Sequence, residues 1–281
     1  MWFGRKRAAK RAGPVEAEIR YLRDGRVHPR IDAYDAAKTV VSVAKHRVRF
    51  HDLRGAADAP SLDREGFTLL PHRSAVADFR DAREHAAYAE ELRALMTQVT
   101  GSPLVFLSPM LVLRSKSHPQ YDGAVIADRV AEMVHCDRTD RSVRTEARAA
   151  LKHHGIETMP EGRLVAYNLW RAISPPPQDF PLALCDLRTV RAEHLVRADS
   201  TSDPTSSGEQ LEFYLPLFDP GHRWCYYSDL TRDELLVFQQ YDTAATGPSG
   251  CPHTAFRDPT CENPPATRVS VEARAYVFFP S

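Results

Sequence analysis

From Leu104 onward the chain is a succession of short β-type runs cut by Pro, Gly and Asp turns. Leu104 to Leu113 (interrupted at Pro109), Arg163 to Ile173, Leu182 to Cys185, Leu211 to Leu217, Arg223 to Tyr227, Leu235 to Tyr241 and Arg268 to Phe279 follow one another. Runs this short must share a core, so the spacing predicts a sandwich or closed barrel. Two helical stretches interrupt it. Between a Ser74 N-cap and a Gly101 stop, Val76, Phe79, Ala82, Ala86, Ala89, Leu92 and Met96 recur at steps of three and four. A second helix is expected over Arg141 to His154. Residues 15–53 read as a β-rich opening with a hairpin turn at Asp24-Gly25. Thr231-x-x-Glu234 has the form of a capping box for a brief helical turn. The fold class read from these elements is mainly β with flanking helices.

No repeat and no domain linker is visible. The 281 residues are taken as a single domain, with 1–103 as β and helical support and substrate-access elements ahead of the core in 104–281. Asp199 to Gly208 is polar and loop-like, a candidate lid or a tolerated insertion. Lys+Arg and Asp+Glu both number 37, a balance that argues against a general nucleic-acid or membrane-surface binder. The basic cluster Arg5, Lys6, Arg7, Lys10 and Arg11 reads as a solvated tail. Without a spanning run, a secretory h-region or a C-x-x-C pair among five cysteines, a cytoplasmic protein is expected.

His135-Cys136-Asp137 would place an imidazole and a carboxylate on one side of a strand, with Cys136 turned away. The segment before it, Ala124 to Val134, is mostly apolar or small, and Arg138-Thr139-Asp140 then opens a polar turn. A third donor has to come from far along the chain, either His253 after Cys251-Pro252 or His222 in Gly221-His222-Arg223-Trp224. Two imidazoles and one carboxylate leave half an octahedron open, the donor set that suits non-haem Fe(II) oxygenases. Arg268, Ser270, Glu272 and Arg274 share parity on the last strand and line one face. An arginine there offers a planar fork for a carboxylate; Arg268, next to the Ser270 hydroxyl, ranks ahead of Arg274. Phosphate-loop, dinucleotide, zincin and nucleophile-elbow motifs are absent from the sequence. Trp170, Trp224, Tyr226 and Tyr227 read as core, whereas Asn168, Trp170 and Arg171 are candidates for a pocket wall.

Two blocks carry a resemblance: Tyr167-Asn168-Leu169-Trp170-Arg171-Ala172-Ile173, and Pro177-Gln178-Asp179-Phe180-Pro181-Leu182-Ala183-Leu184-Cys185-Asp186. Together with His222-Arg223-Trp224, Gln240-Tyr241-Asp242 and Pro252-His253-Thr254-Ala255-Phe256, they resemble the CmcJ/AsaB-like group of non-haem Fe(II)/2-oxoglutarate-dependent oxygenases. The likeness runs from about His135 to the C-terminus. It implies a double-stranded β-helix (jelly-roll, cupin-like) core in 104–281 and Fe(II) held by His135, Asp137 and His253. It also implies 2-oxoglutarate as cosubstrate, with Arg268, Ser270, Arg274 and Asn168 as the residues nearest to it. Members of the group hydroxylate, desaturate or rearrange small secondary metabolites using O2. Arg138 after Asp137 departs from the polar follow-on expected there. Two other readings share the same residues: a triad-metal isomerase or hydrolase without 2-oxoglutarate, and a non-catalytic jelly-roll binding protein. Neither the substrate nor the oligomeric state is legible.

Overall fold

The computed structural model describes residues 13–32, 36–115, 125–128, 131–201 and 211–280, with backbone alone for 36 and 125–128. The basic cluster at 5–11 and residues 202–208 of the loop-like stretch lie outside the described residues. The strands are β1 (Val15–Leu22), β2 (Arg30–Ile31), β3 (Val43–Asp52), β4 (Phe67–Pro71), β5 (Leu104–Leu107), β6 (Leu111–Ser115), β7 (Val125–Asp128) and β8 (Arg163–Ala172). They continue as β9 (Leu182–Cys185), β10 (Leu195–Ser200), β11 (Leu211–Pro216), β12 (Trp224–Tyr226), β13 (Glu234–Asp242), β14 (His253–Ala255) and β15 (Val269–Phe279), with helices α1 (His85–Thr100) and α2 (Asp140–His153) between them.

Two large sheets face each other. One runs β1-β3-β12-β9-β14; the other runs β4-β13-β8-β15-β6-β7, with β5 also paired to β15. Trp170, Ala172, Leu236 and Phe238 of the second sheet pack between the layers against Leu182, Leu184, Cys225 and Tyr227 of the first. This is a double-stranded β-helix. The opposite face of the second sheet, with Leu169, Val237, Val271, Ala273 and Ala275, is covered by Tyr88, Leu92 and Met96 of α1. Period-2 alternation therefore decides what the site can contain: odd positions of β15 serve the α1 core and even positions face the interior. At the far end of that inner face, α2 closes the barrel over Leu164, Ala166, Tyr276 and Phe278. Among the described residues, no helix is long and apolar enough to cross a membrane.

Three local expectations are corrected. α1 begins at His85, not after Ser74. Its own Glu91 accepts from the Ala75 N–H, and Glu84 from those of Ala77 and Asp78; Ser74 closes a turn on Val76. Side-chain acceptors thus take the donors a longer helix would need, while Val76 and Phe79 still reach the core from this loop. Gly101 ends the helix in the left-handed region as anticipated, at φ 72°. Asp24-Gly25 does not join a tight hairpin, because β1 pairs with β3 across a longer excursion that contains β2. Thr231 and Glu234 do bond each other, but in a turn that leads straight into β13.

Candidate metal centre

The two ligand-bearing segments are joined by backbone. His135 and His253 form an antiparallel bridge, N–H to carbonyl in both directions at 3.2 and 2.9 Å. Met133 bridges Arg20 of β1, and Cys136 exchanges both backbone bonds with Tyr214 of β11 at 2.9 Å. This stitching holds residues 133–136 between β1, β11 and β14, although no regular strand forms there. Cys136 turns away into the core, as the period predicts, with its thiol on the Gly250 carbonyl.

The donor atoms of His135, Asp137 and His253 all lie within 4.8 Å of one another. Asp137 Oδ1 is 3.3 Å from His135 Nε2 and 3.8 Å from His253 Nε2. A metal with bonds of about 2.1 Å requires cis donors about 3 Å apart, so small side-chain adjustments suffice to fit one. Tautomers are also set. His135 Nδ1 sits 2.7 Å from the Met133 carbonyl and His253 Nδ1 3.1 Å from that of Cys251. A carbonyl can only accept, so each Nδ1 carries a proton and each Nε2 is the ring atom turned toward Asp137. Burial, reinforced by His135, lowers the His253 pKa to about 3, keeping it neutral. Burial alone would push the Asp137 carboxyl up, but His135, His253 and Arg138 outweigh it and hold the group well below the usual carboxylate range. Two imidazoles turned by their Nε2 atoms toward an ionised carboxylate form a donor set that suits a divalent first-row metal.

Asp137 is aimed by three neighbours. Asn168 donates Nδ2–H to Oδ2 at 2.5 Å, leaving Oδ1 toward the histidines. Gln240 accepts the Asp137 N–H at 2.8 Å and donates to the Cys251 carbonyl at 3.3 Å, tying the carboxylate segment to the acceptor that orients His253. A bulge makes this reach possible: pairing of β13 with β8 slips between Gln239 and Tyr241, and the extra residue is Gln240. Gly250 admits it, since a Cβ there would lie 2.8 Å from the Gln240 carbonyl. Finally, Arg138 donates to the Asp137 carbonyl and pairs with Glu146 of α2 at 2.7 Å; Tyr276 bonds the same Glu146. The departure at Arg138 thus anchors the segment to a helix. Sequence reasoning assigned no role to Gln240, Gly250 or Arg138; the signal available was the Gln239-Gln240 pair in an otherwise apolar strand.

His222 is not part of the cluster. Its ring stacks on Tyr21 at 5.7 Å and its Nδ1 meets the Tyr21 hydroxyl. Burial lowers its pKa to about 4. A histidine with a depressed native pKa binds its proton only in the unfolded chain between pH 6.5 and that value, so stability falls as pH drops through this window. The ceiling is about 1.4 kcal/mol per pH unit for each such group, with less from the partly hydrated His222. Metal-free protein is therefore expected to melt progressively lower from pH 7 to 5, and His222→Gln to flatten that slope. An unchanged slope in the variant would contradict this origin.

The face of β15 divides as follows. Arg268 is buried, its guanidinium 5.3 Å from the Trp170 ring, with Nη1 on Ser270 Oγ at 3.1 Å. Its Nε has no hydrogen-bond partner among the described residues. Its pKa falls to about 9, chiefly through burial and then through repulsion by Arg114. Arg274 sits opposite Asn168, with Nε 3.6 Å from Glu272. Despite burial, Glu146, Asp137 and Glu272 hold it above the usual arginine range. Arg171 does not share this face. Odd parity sends it to the α1 side, where it donates to Tyr88 Oη and to the carbonyls of His72 and Arg232.

A double-stranded β-helix with two histidines and a carboxylate at one focus defines the class of jelly-roll metalloenzymes. The chain matches the family described as oxidoreductase/YMDC permease-like domain over residues 20–278, and it belongs to that family. It is 30% identical over 246 residues to the hydroxylase/desaturase efuI of Hormonema carpetanum, covering 82% of each chain. It is 27% identical over 244 residues to the Fe(II)/2-oxoglutarate-dependent dioxygenase nvfI of Aspergillus novofumigatus, covering 83% of each. With the hydroxylase/desaturase asaB of Aspergillus flavus it shares 32% over 134 residues, 44% of this chain and 59% of the relative. A solved structure of the iron and alpha-ketoglutarate-dependent endoperoxidase NvfI superposes with a TM-score of 0.78 at 22% identity, covering 97% of this chain and 100% of the other. The fold is the same.

Proposed function

We propose that the protein is an Fe(II)/2-oxoglutarate-dependent oxygenase that hydroxylates or desaturates a small secondary metabolite. One observation carries the reading: His135, Asp137 and His253 present three mutually close donors in a chain of this oxidoreductase family. These three residues would hold the iron. Iron bound there couples oxidative decarboxylation of 2-oxoglutarate by O2 to oxidation of a C–H bond. The chain supplies everything else. Asn168 and Arg138 keep Asp137 ionised and aimed, the two backbone carbonyls fix both imidazole rings, and Arg268 with Ser270 grips the far carboxylate of 2-oxoglutarate. Trp170 beneath Arg268 and Phe238, 4.9 Å from the His253 ring, set apolar rings beside these polar groups.

The Nε of each arginine lacks a hydrogen bond, but Arg268 is favoured over Arg274 because no carboxylate pairs with it among the described residues, whereas Arg274 already lies 3.6 Å from Glu272 and in the field of Glu146. Arg268→Ala is expected to raise the KM for 2-oxoglutarate about 100-fold or more, the range for losing one side of a buried charge pair. Arg274→Ala is expected to change it less than threefold. Equal effects, or the reverse order, would contradict the assignment; no dependence on 2-oxoglutarate at all would favour an isomerase or hydrolase.

Residues 1–281 are read as one functional unit, supported by β1 and β3 completing one sheet and β4 edging the other. A reducing cytoplasm accords with Cys136, Cys185, Cys225, Cys251 and Cys261, all buried and unbridged.

A further inference from the structure

Resting on the metal reading above, we propose that Glu146 of α2 is a positioning residue for the centre, acting through Arg138. Its carboxylate holds the Arg138 guanidinium beside Asp137 while keeping it off the oxygens a metal needs. The place of Glu146 on its helix is unusual for an acid. Val143, Ala147, Ala150 and Leu151 of α2 pack on Tyr276 and Phe278 of β15. Glu146 stands three residues after Val143 and four before Ala150, on the edge of the same stripe. Its side chain is only 15% exposed. A carboxylate so placed has to be paired, and two partners reach it from outside the helix. Arg138 Nε lies 2.7 Å from Oε2, and the Tyr276 hydroxyl donates to the same oxygen at 2.5 Å.

The segment under its control is two residues long. Cys136 is fixed by its backbone bonds to Tyr214, and Thr139 caps α2 and donates to Glu212. Asp137 and Arg138 lie between these anchors. The buried Arg138 guanidinium has two carboxylates within ion-pair distance among the described residues, Glu146 at 2.7 Å and Asp137 Oδ2 at 4.0 Å. Its Nη1 donates to the Asp137 carbonyl at 2.8 Å. A guanidinium at that distance from Oδ2 favours the ionised carboxylate without occupying an oxygen. In direct contact it would take lone pairs that a metal has to share. With Glu146 neutralised, the carboxylate left for this buried cation is the metal ligand itself, and a buried cation without a partner is costly. The ion pair then moves from α2 onto Asp137 and competes with Asn168, which donates to Oδ2. Glu146 also helps hold Arg274 in its charged form, so the two routes have to be separated.

The test is equilibrium titration of full-length, metal-free protein with Mn(II), which suits the same donor set, with thermal melts as the control for folding. Glu146→Gln is expected to weaken Mn(II) about tenfold, the lower end for loss of an outer partner of a metal ligand. In an Arg138→Met background the same substitution should change affinity less than about twofold, because the cation it would release is gone. With Co(II) as the probe, the visible bands of Glu146→Gln should be displaced from wild type, and those of the two Arg138→Met proteins should coincide. Unchanged Mn(II) affinity in Glu146→Gln overturns this inference and leaves the metal centre intact. A tenfold loss that persists in the Arg138→Met background also overturns it, since the effect would then run through Arg274 or helix packing. Absence of Mn(II) binding by wild type overturns both readings. If Glu146→Gln does not fold, Glu146→Asp decides. Its shorter side chain keeps the charge but withdraws from Arg138, and an affinity within about twofold of wild type overturns the proposal.

Discussion

His253→Ala is expected to remove stoichiometric metal binding and all measurable succinate release while leaving the fold in place. The reason lies in which atoms do what. The bridge between residues 135 and 253 uses only backbone N–H and C=O groups, so truncating the side chain spares it. What is lost is one of three donors, leaving His135 and Asp137 to hold the ion alone. Loss of an outer partner of a metal ligand typically costs 10–100-fold in affinity, so loss of the ligand itself should exceed that. The variant also removes a buried imidazole that resists protonation until about pH 3. Metal-free variant should therefore lose less stability than wild type between pH 6.5 and 5, because its unfolded state no longer takes up that proton preferentially. Metal analysis, thermal melts at two pH values and succinate assay together separate this outcome from simple unfolding. Retained metal and turnover would remove His253 from the centre.

Arg171→Met is expected to act on stability rather than on cosubstrate affinity, although it belongs to the same sequence block as Asn168 and Trp170. Its guanidinium is buried and satisfies the His72 and Arg232 carbonyls together with the Tyr88 hydroxyl. It also lies 5.8 Å from the Phe79 ring. It thus ties β8 to α1, to the loop carrying Phe79 and to the turn before β13. Removing the donor strands buried acceptors at about 1–3 kcal/mol each, for a total of about 3 kcal/mol or more. Denaturant titration should show a lowered midpoint with an unchanged slope, and the folded fraction should keep its KM for 2-oxoglutarate. A large KM change with normal stability would instead place Arg171 in the pocket.

Much of this was legible because it depends on short-range periodicity. The limits of β8, β9, β11 and β13 fall within about one residue of the apolar runs, since strand length there is set by alternation against a two-layer core. Parity on β15 separated Arg268, Ser270, Glu272 and Arg274 from the α1 face, and the i, i+2 rule brought His135 and Asp137 together. The same rule, applied to Asn168 and Arg171, already puts them on opposite faces of β8; treating the block as one wall overlooked it. The start of α1 was not legible, because Glu84 and Glu91 capture the preceding N–H groups through tertiary geometry. Spacing alone left His253 and His222 both open, and only the family resemblance chose His253, because the choice rests on a backbone bridge spanning 118 residues. Gln240 escaped because a bulge changes which way a strand residue points, and alternation alone cannot announce a bulge.

We propose that the His135, Asp137 and His253 triad, with Arg268 and Ser270, makes the chain a 2-oxoglutarate-dependent oxidant. Its most direct measurement is succinate produced from 2-oxoglutarate after protein reconstituted anaerobically with Fe(II) is exposed to air, with His135→Ala measured alongside. Succinate formation matched by O2 consumption is expected in the wild type and neither in the variant. Stoichiometric iron in the wild type without succinate across a panel of small-molecule substrates, or undiminished succinate in His135→Ala, would contradict it.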